Sequence, residues 1–329
     1  MNLPLVLGID IGGTSTKFGV IDQSGKILYR GSFKTTEHDT PGQFVAALVS
    51  ATSAEVENFG GKGNFSGIGI GAPNGNYYLG TIEDAPNLKW KGVIPLASMI
   101  EERMQLKTVL TNDANAAAMG EMIYGNAKGM KDFIVITLGT GLGSGIVINN
   151  QVVYGHTGLA GELGHLTVNS QGRACNCGRK GCLETYASAT GIVRTVKDLL
   201  QKSVLSSELR NIDEQNLTAS KITKAALQGD ELALQAYEFT SEILGRALAN
   251  IAVFSSPEAI FLFGGLTRAG DLLFEPTIKY FESNLLNVFK NRVKLLASGL
   301  TESDAAILGA AALISGEYMV PAFTFDHQV

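Results

Sequence analysis

Two segments of the chain share one pattern of apolar and small residues. Residues 6–22 (VLGIDIGGTSTKFGVID) and 134–149 (IVITLGTGLGSGIVIN) each contain a β-branched run, a glycine and threonine turn, and a second β-branched run. Two such runs joined by a short glycine turn are typical of a β-hairpin. The repeat predicts two related domains, each opening with the same hairpin.

The glycine turns of the two hairpins are candidate anion sites. Asp10 and Thr137 occupy equivalent places in the repeat, as do Gly12 and Gly139. Glycine lets the backbone approach a ligand closely, and converging backbone N–H groups bind phosphates. Two facing turns would form a cleft with such a site. The alternative is two ordinary hairpins whose glycines only relieve turn strain.

The rest of the chain alternates strand-like and helix-like patterns. Helical spacing or small-residue content predicts helices over 40–59, 114–125, 219–254 and 304–316. Short apolar runs that end at turn residues predict strands over 65–73, 107–113 and 258–266. This alternation predicts an α/β architecture.

Composition and charge narrow the class of protein. A length of 329 residues suggests two domains, and a hydrophobic content of 45% with 17% charged residues indicates a globular chain. The net charge of −5 and the lack of a long basic run predict no nucleic-acid partner. The chain has no uninterrupted stretch of about 18 apolar residues, so we predict no membrane span. The N-terminus lacks signal-peptide features, so we expect a cytoplasmic protein.

All the cysteines lie in one glycine-rich segment. Cys175, Cys177 and Cys182 follow His165 within 17 residues. Zn²⁺ prefers four tetrahedral nitrogen and sulfur ligands, and one imidazole with three thiolates supplies them. An odd cysteine count and a Cys-x-Cys pair argue against disulfides. The alternative is three reduced thiols in a loop.

Two aspartates stand where predicted strands end. Asp10 precedes the turn and could hold hydrated Mg²⁺, while Gly13 and Thr14 could donate to phosphate oxygens. Asp113 could accept a hydroxyl proton during phosphoryl transfer, or it could only cap the following helix.

Other nucleotide motifs fail. The chain has no G-x-x-x-x-G-K-[ST] loop, and the loose G-x-G-x-x-A at 67–72 is followed by Pro73 where a dinucleotide-binding helix should begin. In the PNLKW loop, Asn87 could bind a hydroxylated ligand, whereas Trp90 is predicted to pack in the core.

These motifs, in this order, resemble the ROK family (repressors, open reading frames and kinases) of sugar kinases. The most specific match is E-x-G-H followed by C-x-C-G-x-x-G-C-x-E over 162–184. DIGGT at 10–14 and GTGLG at 139–143 match the family's two phosphate loops, and NDANAAA at 112–118 matches its catalytic segment. The resemblance covers nearly the whole chain.

The resemblance implies the actin-like ATPase (ribonuclease-H-like) fold, with two duplicated domains around a central cleft. Residues 1–115 with 303–329 would form the small domain, and 116–302 the large domain with the zinc loop. Family members are commonly homodimers or homotetramers, and no sequence feature decides between these.

Site residues follow from the resemblance position by position. Asp113 would be the general base that takes the proton from the sugar's primary hydroxyl. The sugar-binding residues would be Gly71, Ala72, Asn87, Asn112, Glu162, His165 and Glu184. The contacts to ATP and Mg²⁺ would come from Asp10, Gly12, Gly13, Thr14, Thr137, Gly139, Thr140, Gly141, Gly264 and Gly265. A structural Zn²⁺ would be held by His165, Cys175, Cys177 and Cys182.

The implied activity is transfer of the γ-phosphoryl group of MgATP to the 6-hydroxyl of a hexose. Glucose is favoured because the E-x-G-H and GCLE motifs are both intact, as in glucokinase-like members. The alternatives are a kinase for N-acetylglucosamine, N-acetylmannosamine or fructose, a sugar-sensing transcription regulator, and an inactive sugar binder. Regulators of the family carry a winged helix-turn-helix before the kinase-like part, and we expect none before DIGGT at residue 10.

Overall fold

The structure is a computed structural model that describes residues 4–314. The strands are β1 (Leu5–Ile11), β2 (Ser15–Ile21), β3 (Ile27–Lys34), β4 (Phe65–Ala72), β5 (Gly75–Asn76), β6 (Thr81–Glu83), β7 (Val93–Ile94), β8 (Thr108–Asn112), β9 (Phe133–Leu138), β10 (Leu142–Ile148), β11 (Gln151–Val152), β12 (Ala259–Phe263) and β13 (Lys294–Ala297). The helices are α1 (Pro41–Asn58), α2 (Leu96–Met104), α3 (Asp113–Tyr124), α4 (Ala189–Lys202), α5 (Ala219–Leu227), α6 (Glu231–Ser255), α7 (Asp271–Asn284) and α8 (Glu302–Ala312).

The described residues divide into two compact units. The first unit contains 4–131, 145–161 and 299–314, and the second contains 132–144 and 162–298. This division differs from the sequence-based boundary at 115/116, which would cut through α3. Within the first unit α3 packs along α8, so the whole helix stays with that unit.

The first sheet has the strand order β3-β2-β1-β4-β8. The predicted hairpin over 6–22 is present as the antiparallel pair β1–β2, and β4 and β8 run parallel to β1. Parallel strands end at the same edge of a sheet. Asp10 therefore lies opposite Gly71, and Ala72 lies opposite Asn112.

The two faces of the first sheet are packed differently. One face carries large apolar side chains such as Leu7 and Ile70, which are buried in a core shared with α1 and α2. The other face carries glycines, and a methyl group added at Gly69 would collide with the backbone of Ala310 in α8. The small-residue helix predicted over 304–316 is thus explained by backbone-close packing. Its last two residues lie outside the described part.

The second sheet repeats the plan of the first. Its order is β11-β10-β9-β12-β13, and β12 runs parallel to both β9 and β13. The hairpin β9–β10 thus stands where β1–β2 stands in the first sheet, followed by two strands from later in the chain. The predicted duplication and α/β class are confirmed.

The helices of the second unit are ordinary amphipathic ones. Predicted helical residues 219–254 form α5 and α6, which are capped by the side chains of Thr218 and Asp230. None of the helices formed by residues 4–314 has the length and apolar character needed to cross a bilayer.

Candidate active site and metal site

Asp10 is the penultimate residue of β1, at the edge where three parallel strands end. Its carboxylate is largely withdrawn from solvent, and this burial together with the negative charge of Asp113 raises the pKa of Asp10 to about 6. The exposed Lys17, its partner across the hairpin, opposes the rise. A bound cation would offset the cost of ionising this carboxylate, so Asp10 is a candidate cation ligand.

Asp113 is the first residue of α3, not its cap. The N-cap is Asn112, whose Oδ1 accepts a hydrogen bond from the Ala114 N–H at 2.8 Å, and Asp113 Oδ1 accepts from the same N–H at 2.8 Å. The reading of Asp113 as a helix cap is therefore wrong, because the cap lies one residue earlier. The Asp113 side chain retains accessible surface, yet desolvation by the surrounding protein raises its pKa.

The first glycine turn rests against the loop that carries Asn87. The turn is closed by a hydrogen bond from Gly12 N–H to the Ser15 carbonyl at 3.0 Å. A methyl group added at Gly13 would lie only 2.7 Å from the Asn87 carbonyl oxygen. The phosphate-loop candidate and the sugar-loop candidate are thus in direct backbone contact.

The Asn87 loop is anchored by two residues that follow Asn87, Trp90 and Lys91. Trp90 is buried against Phe44, with ring centroids 4.7 Å apart, and its Nε1 donates to the His38 carbonyl at 3.0 Å. The Lys91 ammonium donates to the Leu88 carbonyl at 2.9 Å. The prediction that Trp90 packs in the core is confirmed.

The second glycine turn, 139–141, is held against the start of α4. Ala189 N–H donates to the Gly139 carbonyl at 2.9 Å, and Thr190 Oγ1 donates to the Thr140 carbonyl at 2.7 Å. The Thr137 hydroxyl accepts from Gly143 N–H at 3.1 Å, so this threonine closes the hairpin. The first residues of α4 therefore donate hydrogen bonds to two carbonyls of this turn.

Gly264 brings a further turn to the end of β9. Its φ of 107° is one that favours glycine, and an added methyl group would lie 2.8 Å from the Leu138 carbonyl oxygen. Gly265 follows and begins a short 3₁₀ turn. Residues 264–265 therefore lie beside the strand that leads into the 139–141 turn.

The cysteines and His165 form a compact cluster in the second unit. The three cysteines are free thiols, with Cys177 Sγ and Cys182 Sγ 3.6 Å apart and Cys175 Sγ 3.7 Å from His165 Nδ1. All four ligand atoms lie within 4.8 Å of one another. A tetrahedral Zn²⁺ with bonds of about 2.3 Å to sulfur needs ligand separations of about 3.8 Å. The donor set therefore fits such an ion.

Two carboxylates, those of Glu162 and Glu184, lie beside this cluster. His165 Nε2 lies 3.9 Å from Glu162 Oε2, whereas its Nδ1 lies 3.7 Å from Glu184 Oε1. Glu184 Oε1 also accepts from Cys175 Sγ at 3.0 Å, and burial with this contact raises the pKa of the Cys175 thiol. Glu184 Oε2 lies 2.7 Å from where a methyl group on Gly141 would be. Glu184 thus joins the cluster to the second glycine turn.

The predicted site residues fall into two sets, one in each unit. The first unit holds Asp10, Gly12, Gly13, Thr14, Gly71, Ala72, Asn87, Asn112 and Asp113. The second unit holds Thr137, Gly139, Thr140, Gly141, Glu162, His165, Cys175, Cys177, Cys182, Glu184, Gly264 and Gly265.

Sequence reasoning missed two residues that shape the second set. Ser188 caps α4 by accepting from Gly191 N–H at 3.0 Å, and its neighbour Thr190 binds the glycine turn. The Ser-Ala-Thr-Gly run before an amphipathic stretch signals a helix start. Nothing in that run indicates which distant turn the threonine contacts.

Comparisons with known proteins agree with this geometry. The model of the ROK family matches residues 6–317. A glucokinase from Halalkalibacterium halodurans is 36% identical over 312 residues, which are 94% of each chain. The crystal structure of a ROK family glucokinase from Streptomyces griseus in complex with glucose and AMPPNP superposes with a TM-score of 0.79 at 35% identity, covering 94% of this chain and 98% of that one. A xylose repressor from Caldicellulosiruptor bescii is 33% identical over 77% of this chain and 63% of its own length.

Proposed function

The chain belongs to the ROK family and has its actin-like ATPase fold, and from this premise we propose that it is a glucokinase. It would transfer the γ-phosphoryl group of ATP to the 6-hydroxyl of glucose. The observation that carries the proposal is the meeting of Asp10, Asn112 and Asp113 at one sheet edge, in a chain that matches glucokinases over nearly its full length.

Asp113 is the proposed general base. It retains accessible surface at the start of α3, and its raised pKa brings it closer to that of an effective proton acceptor. Its Oδ1 accepts from the Ala114 N–H, which orients the carboxylate, and this contact leaves Oδ2 available to accept a proton. Phosphoryl transfer itself depends mainly on positioning and electrostatic stabilisation.

The glycine turns are the proposed nucleotide contacts. Backbone N–H groups in the 12–14 and 139–141 turns would donate to phosphate oxygens, and residues 264–265 would contact the adenosine side. Asp10 would take part in holding the Mg²⁺ that accompanies ATP, a cation that relieves the cost of ionising this buried carboxylate.

The sugar would be bound by amides, carboxylates and one imidazole. The proposed contacts are Gly71, Ala72, Asn87, Asn112, Glu162, His165 and Glu184. Hydroxyl groups both donate and accept, so a mixture of acceptor carboxylates and donor amides suits a hexose.

We propose a structural role for Zn²⁺ at the cysteine cluster. His165 Nδ1 and the three thiols would hold the ion, which would supply cross-linking of the loop and no open position for chemistry. His165 Nε2 then remains on the side of Glu162, where it can bind a sugar hydroxyl. Metal at one ring nitrogen fixes the tautomer of the other.

The decisive experiment measures ADP release by the purified chain with MgATP and a panel of hexoses. We expect glucose to give the highest kcat/KM, ahead of fructose, N-acetylglucosamine and N-acetylmannosamine. A different preferred sugar would correct the acceptor while keeping the kinase. No ADP release with any hexose would overturn the proposal, and a repressor-like role would then be tested by a gel shift at low salt.

The oligomeric state and the cellular location are further parts of the proposal. We propose a homodimer or homotetramer, which light scattering tests against the 34.8 kDa chain mass. The three free thiols suit a reducing compartment such as the cytoplasm. The net charge of −5 suits a protein that has no nucleic-acid partner.

A further inference from the structure

Arg173 has no part in the proposed site, yet its side chain is only 12% exposed. It stands at the base of the cysteine hairpin, which we define as residues 172–182. Gly181 N–H donates to the Arg173 carbonyl at 2.7 Å, and Cys175 N–H donates to the Arg179 carbonyl at 2.9 Å. These two bonds pair the arms of the hairpin.

The guanidinium of Arg173 binds four acceptors that all lie beyond the hairpin. One terminal nitrogen donates to the carbonyls of Thr185 at 2.8 Å and Gly191 at 3.1 Å. The other donates to Thr195 Oγ1 at 3.1 Å and to Asp198 Oδ2 at 2.8 Å. Three of these acceptors belong to α4, so one planar fork joins the hairpin base to this helix.

Tyr186 also holds Arg173. The Arg173 guanidinium carbon lies 4.6 Å from the centre of the Tyr186 ring, a favourable cation–π distance. The Tyr186 hydroxyl accepts from the Arg173 backbone N–H at 3.1 Å. Side chain and main chain of one arginine are therefore both held by the same tyrosine.

None of these contacts uses a proposed metal ligand. The acceptors are two carbonyls, a hydroxyl, a carboxylate and an aromatic ring, and none of their atoms belongs to His165 or to a cysteine. These contacts therefore need no ion, although Cys182 follows Gly181 at the base of the same hairpin and Cys175 and Cys177 lie further along it.

We propose that Arg173 is a positioning residue that keeps the cysteine hairpin docked on α4 when no metal is bound. The thiols of the hairpin are then already close together before metal binds. The free energy of metal binding is therefore not reduced by the entropy lost when a loop becomes ordered. The part of this inference that concerns metal rests on the metal site proposed above. The docking itself does not.

The test compares Arg173→Ala and Arg173→Lys with the wild-type chain, and Asp198→Ala serves as the matched control. Asp198 is 54% exposed and supplies one of the four acceptors, so its loss should leave the attachment in place. Lysine keeps the charge but cannot form the planar fork.

Hydrogen exchange of residues 172–182, measured by mass spectrometry on chelator-treated protein, reports the docking directly. We expect both Arg173 variants to lose protection there, while the control matches wild type. Dissociation of Co²⁺, followed by its thiolate charge-transfer absorption, should be about 10- to 100-fold faster in both Arg173 variants and within about two-fold of wild type in the control.

Two results would overturn the inference. One is unchanged hydrogen exchange and Co²⁺ release in Arg173→Ala, and the other is full recovery of both by Arg173→Lys, since charge alone would then suffice. If the wild-type chain takes up no Co²⁺, the proposed metal site fails instead, and the exchange of metal-free protein alone decides the role of Arg173.

Discussion

At the scale of single residues, two aspartates share one sheet edge, and the charge of Asp113 opposes the ionisation of Asp10. The charge of Asp113 adds to burial in raising the pKa of Asp10. A protein retains such a pairing at a cost in stability, and the cost is removed when a cation binds. Asp10 and Asp113 are therefore best examined separately, one by its effect on stability and the other by its effect on turnover.

We expect Asp113→Asn to reduce kcat for hexose phosphorylation by roughly 10²- to 10⁴-fold, because asparagine cannot accept the proton. The amide oxygen can still accept from Ala114 N–H, so the fold should be kept. Steady-state kinetics measures the loss, and a denaturation curve matching wild type is the control. Turnover above about a tenth of wild type would exclude Asp113 as the base.

We expect Asp10→Asn to remove a pH-dependent loss of stability. Because the pKa of Asp10 is raised from 3.8 to about 6 on folding, the unfolded chain releases this proton first as pH rises. Between about pH 4 and 6 the wild type should therefore lose at most about 3 kcal/mol of unfolding free energy relative to the variant. Above about pH 6 this difference between the two proteins should stay constant.

Urea denaturation of both proteins across this pH range, without nucleotide or Mg²⁺, measures the gap. Comparing the two proteins cancels the titration of the other acidic groups. A gap that is flat with pH, or that shrinks as pH rises, would contradict the raised pKa.

At the scale of elements, the first unit depends on helices that touch without side chains between them. A methyl group added at Gly120 in α3 would lie 2.9 Å from Gly309 Cα in α8, and one added at Gly309 would collide with the Ala116 carbonyl. The helices meet backbone to backbone, as the sheet does with α8 at Gly69. Local helix propensity is overruled there by tertiary contact.

We expect Gly309→Ala to destabilise the chain by about 1–3 kcal/mol, although alanine is the better helix former. The matched control is Gly42→Ala in α1, where nothing lies within 4 Å of the added methyl group. That variant should be neutral or slightly stabilising. Urea midpoints report both, and equal effects from the two substitutions would refute the close-packing argument.

At the scale of the whole molecule, the sequence predicted most of the plan. The two hairpins, the strand 65–73 and the helix 40–59 appear within one or two residues of the expected bounds, because turn residues and the Thr-Pro helix start mark their ends. The sequence could not show that Arg173 attaches to α4 or that Gly13 meets Asn87, since those partners are set by packing between distant segments. The sequence suggested Asp113 as the possible N-cap, one residue after the actual cap Asn112. Asparagine and aspartate both cap helices well, so residue type alone does not distinguish these two positions.

We expect one Zn²⁺ per chain, and we expect its removal by a chelator to lower Tm by at least about 5 °C, because the ion would bind only the folded cluster. Elemental analysis and calorimetry measure the two quantities, and added Zn²⁺ should restore Tm. Cys177→Ser, in which one ligand is lost, should resemble the chelated protein. Metal-free preparations with an unchanged Tm would disprove the structural role.

The contact between Gly13 and the Asn87 carbonyl limits how this enzyme could be re-engineered for another acceptor. The Asn87 side chain is part of the same contact, since a methyl group on Gly13 would also lie 3.0 Å from Asn87 Cβ and 3.4 Å from Asn87 Cγ. Lengthening or shortening the loop would also displace the Asn87 carbonyl from its place against the 12–14 turn. If the proposed roles of the two segments hold, we expect substitutions at Asn87 and changes in loop length to alter sugar affinity and ATP affinity together.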